Sequence, residues 1–132
     1  MCKVGDIIVV DQYKDNTKAL SRHSFVVIDD KNGQIEGFSY DMICNVLSSF
    51  KDEKQIKRKL SYPGNFPIAN EDTITCPNNN KDGYIKTDQL YFFAKDKINY
   101  TVIGSVKEDI FNLIMEFINE SDFQITAIID NL

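Results

Sequence analysis

Ser24-Phe25-Val26-Val27-Ile28-Asp29-Asp30-Lys31-Asn32-Gly33 is the stretch whose reading decides the fold. Its first half is a short run of aromatic and β-branched residues, which suits a pleated, half-buried strand. Its second half stops that strand, and Asn32-Gly33 between two extended segments is a strong short-range hairpin signal. The reading is therefore a strand over 24–28, a turn, and a returning strand over 34–38.

Upstream, Val4-Gly5-Asp6-Ile7-Ile8-Val9-Val10 reads as a first strand for the same reason. Residues 11–21 are polar and without period, which predicts a loop; Lys14 and Lys18 are offset there by Asp11 and Asp15. Downstream, Met42-Ile43-Cys44-Asn45-Val46-Leu47 is an apolar run that fits a strand or a short helix, since the run alone does not separate the two. The basic stretch 51–59 suits a short helix or a long loop, with Ile56 and Leu60 on one face, ended by Pro63, Gly64 and Pro67. Residues 68–74 read as weakly extended, and 76–83 as a mobile, turn-rich loop.

Tyr84-Ile85-Lys86-Thr87 begins another strand, which Leu90-Tyr91-Phe92-Phe93 continues or rejoins after a turn at Asp88-Gln89. A last strand over 100–103 is broken by Gly104. Ser105 and Glu108 have the spacing of a capping box. Ile110, Leu113, Ile114, Phe117 and Ile118 then recur at helical spacing, and Phe111 and Met115 widen their face. Residues 123–129 fit a terminal strand or a docked tail. Short strands separated by turn signals predict a mainly β fold with added helices: a compact barrel finished by an amphipathic C-terminal helix, in one domain over 1–132.

A chain of 132 residues can bury a real core without disulfides or metals. The formal net charge of −5 argues against a protein that coats nucleic acid over its whole surface, and leaves room for a local basic groove. Cys2, Cys44 and Cys76 are odd in number and widely spaced, which speaks against a disulfide framework or a structural zinc site; Cys44 reads as a buried thiol. Asp6 and Asp11 interrupt any signal-peptide pattern, and no apolar run is long enough to span a membrane, so a cytoplasmic address is expected.

Familiar catalytic motifs are missing: no P-loop, no dinucleotide glycine pattern, no HExxH and no G-x-S-x-G occurs. Three places carry chemistry instead. Arg22-His23 stands where a polar segment enters an apolar strand. Histidine exchanges a proton near neutral pH and arginine clamps a phosphate with its planar fork, and an RNA-cleaving site needs both. The plainer reading is a capped strand with a surface arginine. Ser48-Ser49 offers hydroxyls for a phosphate oxygen or a ribose hydroxyl, though such a pair is also a common turn element. Lys51, Lys54, Lys57, Arg58 and Lys59 supply counter-ion release from phosphates, and Tyr62 and Phe66 offer rings for stacking on an unpaired base. Charge runs also simply face water, and these rings also cover cores.

With these residues in view, the chain resembles the MazF/PemK family of toxin endoribonucleases. Residues 4–10 resemble the family's opening Gly-Asp/Glu-Ile strand. Ser21-Arg22-His23-Ser24-Phe25-Val26-Val27-Ile28 resembles its second-strand motif, with His23 where proline is usual. Residues 42–49 resemble the strand that ends in a catalytic or RNA-contacting threonine or serine, with Ser48 the best match and Ser49 the alternative. Tyr84-Ile85-Lys86-Thr87-Asp88-Gln89-Leu90 resembles a late strand leading into a short turn. The resemblance covers most of residues 4–119. It implies an SH3-like or Kid-type β-barrel, usually a homodimer. It also implies cleavage of single-stranded RNA without metal or other cofactor, leaving a cyclic phosphate and a 5′-hydroxyl, and restraint by an antitoxin that covers the RNA groove. On that reading Arg22 stabilises charge on the scissile phosphate, Ser48 orients the phosphate or the 2′-hydroxyl, and His23 is an added acid or base. Lys51, Lys54, Lys57, Arg58, Lys59, Ser49 and Tyr62 hold the RNA, and no metal site is expected.

Overall fold

The structure, a computed structural model of the chain, describes residues 2–15, 18–75 and 81–132. In chain order the strands are β1 (Asp6–Asp15), β2 (Lys18–Asp29), β3 (Gly33–Ile35), β4 (Phe38–Tyr40) and β5 (Met42–Ser49), followed by the helix α1 (Glu53–Leu60). β6 (Asn65–Ile68), β7 (Thr73–Thr75), β8 (Gly83–Phe93) and β9 (Tyr100–Val106) come next, then α2 (Glu108–Asn119) and β10 (Thr126–Asn131).

β1 and β2 run on through the polar segment read as a loop. Gln12 faces Ser21, Tyr13 faces Leu20 and Asp15 faces Lys18. The ladder continues because Tyr13 turns inward and is buried, while its polar neighbours face water. Within a hairpin, alternate burial is enough to hold a strand that lacks an apolar run. Asn32-Gly33 does not make the turn of the next hairpin. Glu36 and Gly37 do, both at positive φ, and they join β3 to β4 in a small separate sheet. The neighbour of β2 in the main sheet is β5, so the returning strand expected over 34–38 is replaced by 42–49.

The main sheet has the order β10-β8-β5-β2-β1-β9-β7, with β6 also paired to β8. It is antiparallel except where β10 lies parallel to β8. This corrects the expected closed barrel: the fold is mixed α/β around a large sheet that stays open. Among the described residues no ladder joins β10 to β1 or to β7. The approach of β10 to β1 is made by a side chain. Asn131 accepts from the backbone amide of Lys14 at 2.6 Å and donates to the Lys14 carbonyl at 2.8 Å.

Strand alternation gives the sheet two apolar faces. Ile8, Val10, Phe25, Val27, Cys44, Val46, Tyr91 and Phe93 belong to one core, on one face of the sheet. Ile7, Val26, Ile28, Ile85 and Val106 form the other with Ile114 of α2. The helix covers that second face with Ile110, Phe111, Met115 and Ile118. Leu113, expected on the same face, is half exposed. The Ser105 capping box does not form either: Ser105 stays in β9 opposite Asp6, and Lys107 occupies the cap position without a side-chain bond. Gly104 lies within β9 rather than ending it, because a side chain there would strike the Ile74 carbonyl of β7.

β8 is one strand with a wide bulge. Cys44 faces Tyr91 and Val46 faces Lys86, so Thr87, Asp88, Gln89 and Leu90 stand against Asn45 alone. Asn45 fills the gap by donating to the Gln89 carbonyl at 2.9 Å. Its own Oδ1 is buried without a partner, at a cost of about 1–3 kcal/mol. At this bulge β8 exchanges β6 for β10 as its neighbour. Cys2 and Cys44 are buried free thiols, and burial pushes the Cys44 thiol well up. Cys76 and most of the loop read over 76–83 fall outside the described residues. No described helix is long and apolar enough to cross a membrane.

Candidate active site

The end of the β2–β5 ladder creates the site. Ser24 faces Leu47, and one further step brings His23 level with Ser48. Their side chains meet, with His23 Nε2 3.1 Å from Ser48 Oγ. On its other side β5 lies close against β8, where a side chain at Gly83 would collide with the Ser48 carbonyl. The imidazole is half-buried and packs edge-on against Tyr13 and Phe25, at ring-centroid separations of 6.4 and 6.1 Å. Burial lowers the His23 pKa below its ordinary value, and the nearby Lys86 ammonium lowers it further. Both effects disfavour the charged ring and favour the neutral imidazole.

A cleft of about 570 Å³ opens here, lined by Arg22, His23, Ser48, Ser49, Lys51 and Lys86 among others. Arg22 and His23 leave β2 on opposite sides of the pleat, and the same alternation separates Ser48 from Ser49. The bonded pair is therefore His23–Ser48, whereas Arg22 is level with Ser49 and stands exposed at the rim. All four residues line one cleft.

The wall of the cleft is α1, where the sequence allowed a helix or a loop. Asp52 caps it, accepting from the Gln55 amide at 2.8 Å, and Gln55 Oε1 accepts from the Lys51 amide at 2.6 Å. None of its residues is buried; Ile56 and Leu60 are 37% and 39% exposed and do not anchor it as expected. Lys51 and Gln55 reach the cleft. Lys54 and Arg58 line a separate hollow on the helix with Lys51, and Lys57 is exposed. Lys59 places its ammonium 6.0 Å from the centre of the Tyr84 ring. With Tyr62 it lines a second cleft that shares Lys86 with the first. Phe66 is half-buried and packs edge-on against Phe117, so it belongs to the core beneath α2 and not to a stacking surface.

Lys86, Tyr84 and Gln55 are the site residues that sequence reasoning missed. Lys86 and Tyr84 reach it through pairing of β8 with β5, which leaves no local mark. Gln55 carried a signal, since Asp52 and Gln55 have capping-box spacing. Among the described residues no three of His, Cys, Asp and Glu are grouped to hold a metal ion. No family model matches the chain, and no curated protein matches it.

Proposed function

We propose that the chain is a metal-independent endoribonuclease that cuts single-stranded RNA at selected sequences, acting as the toxin of a toxin–antitoxin pair. The observation that carries this reading is the His23–Ser48 contact inside a cleft also lined by Arg22, Lys51 and Lys86. A neutral imidazole beside a hydroxyl, ringed by three cations, suits a phosphodiester whose neighbouring 2′-hydroxyl is the nucleophile.

In this mechanism the 2′-oxygen attacks phosphorus and passes its proton to neutral His23. The bond from phosphorus to the 5′-oxygen breaks, and that oxygen takes a proton from solvent. The products are a 2′,3′-cyclic phosphate and a 5′-hydroxyl end. Ser48 holds the imidazole and orients the phosphate. Arg22 and Lys86 stabilise the negative charge that grows on the phosphoryl oxygens. The partners of this reading are single-stranded RNA, a small antitoxin protein over the same groove, and a second copy of the chain, in the cytoplasm. A non-catalytic RNA- or peptide-binding module is the second reading. It is favoured by the basic α1, whose Lys54, Lys57 and Arg58 stand apart from the His23–Ser48 pair.

The test is incubation with a long mixed-sequence RNA in EDTA, with the new ends mapped. Discrete cuts carrying 5′-hydroxyls are expected. They should fall at least a hundredfold in His23→Ala, in line with loss of a general base, and decline in Arg22→Ala and Ser48→Ala. RNA that stays intact while binding in a salt-dependent way would establish the second reading instead.

A further inference from the structure

The second cleft is built differently from the first. It has a volume of about 320 Å³ and is lined by Tyr62, Pro63, Asn65, Asp88, Gln89, Lys59 and Lys86. One wall is the turn that follows α1; the other is the bulge of β8. The two walls are tied together, because the amide and hydroxyl of the fully buried Thr87 both donate to the Gly64 carbonyl, at 2.9 and 2.6 Å. Gly64 allows the approach: a side chain there would run into Asp88. Asn65 Nδ2 donates to the Lys59 carbonyl and fixes the turn, while Asn45 fixes the Gln89 backbone from behind. Within this rigid frame Tyr62 is 53% exposed.

These features are those of a reader, not of a general phosphate binder. An exposed tyrosine ring offers a stacking platform for an unpaired base. A carboxylate accepts hydrogen bonds and donates none, so Asp88 favours a base edge that carries amino donors and disfavours one bounded by carbonyls. The Gln89 amide both donates and accepts. Lys86 belongs to both clefts, and Lys59 links them by lying over the Tyr84 ring of the first.

We infer that this second cleft is a base-specificity subsite: it seats the nucleobase of a nucleotide next to the phosphate held by Arg22, Lys51 and Lys86, stacks it on Tyr62, and selects amino-bearing bases over uracil through Asp88. The inference rests on the ribonuclease reading for the position of the phosphate, but its test does not need cleavage.

The experiment measures binding of the full chain to non-cleavable 2′-deoxy-substituted RNA hexamers: all-uracil, and uracil with one adenine, cytosine or guanine at each position. At least one amino-bearing base at one position should bind about tenfold more tightly than uracil. Asp88→Asn, which keeps the shape of the side chain, should erase that preference. Tyr62→Ala should weaken all the preferred hexamers about tenfold. If Asp88 acted only as a stray negative charge in a cationic groove, Asp88→Asn would tighten every hexamer equally and leave the preference intact, which would overturn the inference. An unchanged preference in both variants, or no RNA binding at all, would overturn it too. Cleavage that His23→Ala abolishes, with base choice indifferent to Asp88, would keep the ribonuclease reading and remove this one. Asp88-dependent base choice without cleavage would do the reverse.

Discussion

The two sides of the candidate site are held in opposite ways. His23 and Ser48 stand at the end of the β2–β5 ladder, beside Phe25, Val26 and Val46, which are 0%, 0% and 3% exposed, so their geometry is inherited from the core. Facing them, α1 buries none of its residues and relies on its cap and on Asn65. The His23–Ser48 pair and two of the cleft cations, Arg22 and Lys86, sit on the sheet, whereas Lys54, Lys57 and Arg58 sit on a helix that the core barely restrains. Substitutions on the first side should therefore alter stability and activity together, and those on the second should separate them.

The largest expected effect tests the rigid side. Phe25→Ala removes a fully buried ring that packs edge-on against His23, Tyr13, Tyr91 and Phe93. It should cost about 3–5 kcal/mol in denaturant unfolding and loosen the imidazole at the same time. A loss below about 1 kcal/mol would show that the ladder does not depend on this core.

Asp52→Ala should cost about 1 kcal/mol, the usual value of an N-cap, and should raise amide exchange in α1 without moving the sheet. Equal acceleration in β2 and β5 would erase the contrast between the two sides.

A pH titration of stability sharpens the comparison next. The folded His23 pKa lies below its ordinary value of 6.5. The unfolded chain thus binds more protons between the two values, and stability falls as pH drops through that window and is retained above it. Lys86→Met should raise the folded pKa part of the way back, because burial is the larger cause. The acid limb of the cleavage profile should then move to higher pH. An unmoved limb would mean that another group titrates.

The smallest effects belong to α1. Lys54→Ala and Lys57→Ala should each change stability by no more than about 0.5 kcal/mol. If each touches a phosphate, the slope of log affinity against log salt should drop by about 1 per lysine. Unchanged slopes would make these lysines a solvated face.

Several parts of this arrangement were legible in the residues. Strand 24–28 is marked by its aromatic and β-branched run and the helix around Ile114 by its period, while 42–47 was legible only as an apolar run that fitted a strand or a short helix. The polar extension of β1 and β2 was not legible, because only Tyr13 marks its inner face. Nor was the turn at Glu36-Gly37, where Asn32-Gly33 gave a stronger but misleading local signal. Ser105 and Glu108 have the spacing of a cap, yet pairing of Ser105 with Asp6 holds that residue in the sheet. Arg22, His23, Ser48, Ser49 and Lys51 were all singled out from residue chemistry, and they share one cleft.

What the sequence by itself determined is what is local: which apolar segments are extended, which segment is an amphipathic helix, and which polar residues carry chemistry. Backbone preference and side-chain period act over a few residues and are read there. Only the tertiary structure decided that the sheet stays open, that His23 rather than Arg22 meets Ser48, and that Lys86 lies beside the imidazole. Those facts depend on register and on the bulge of β8. Both are set by packing two faces of one sheet across long separations, and a shift of a single residue would have turned every side chain on a strand to the other face.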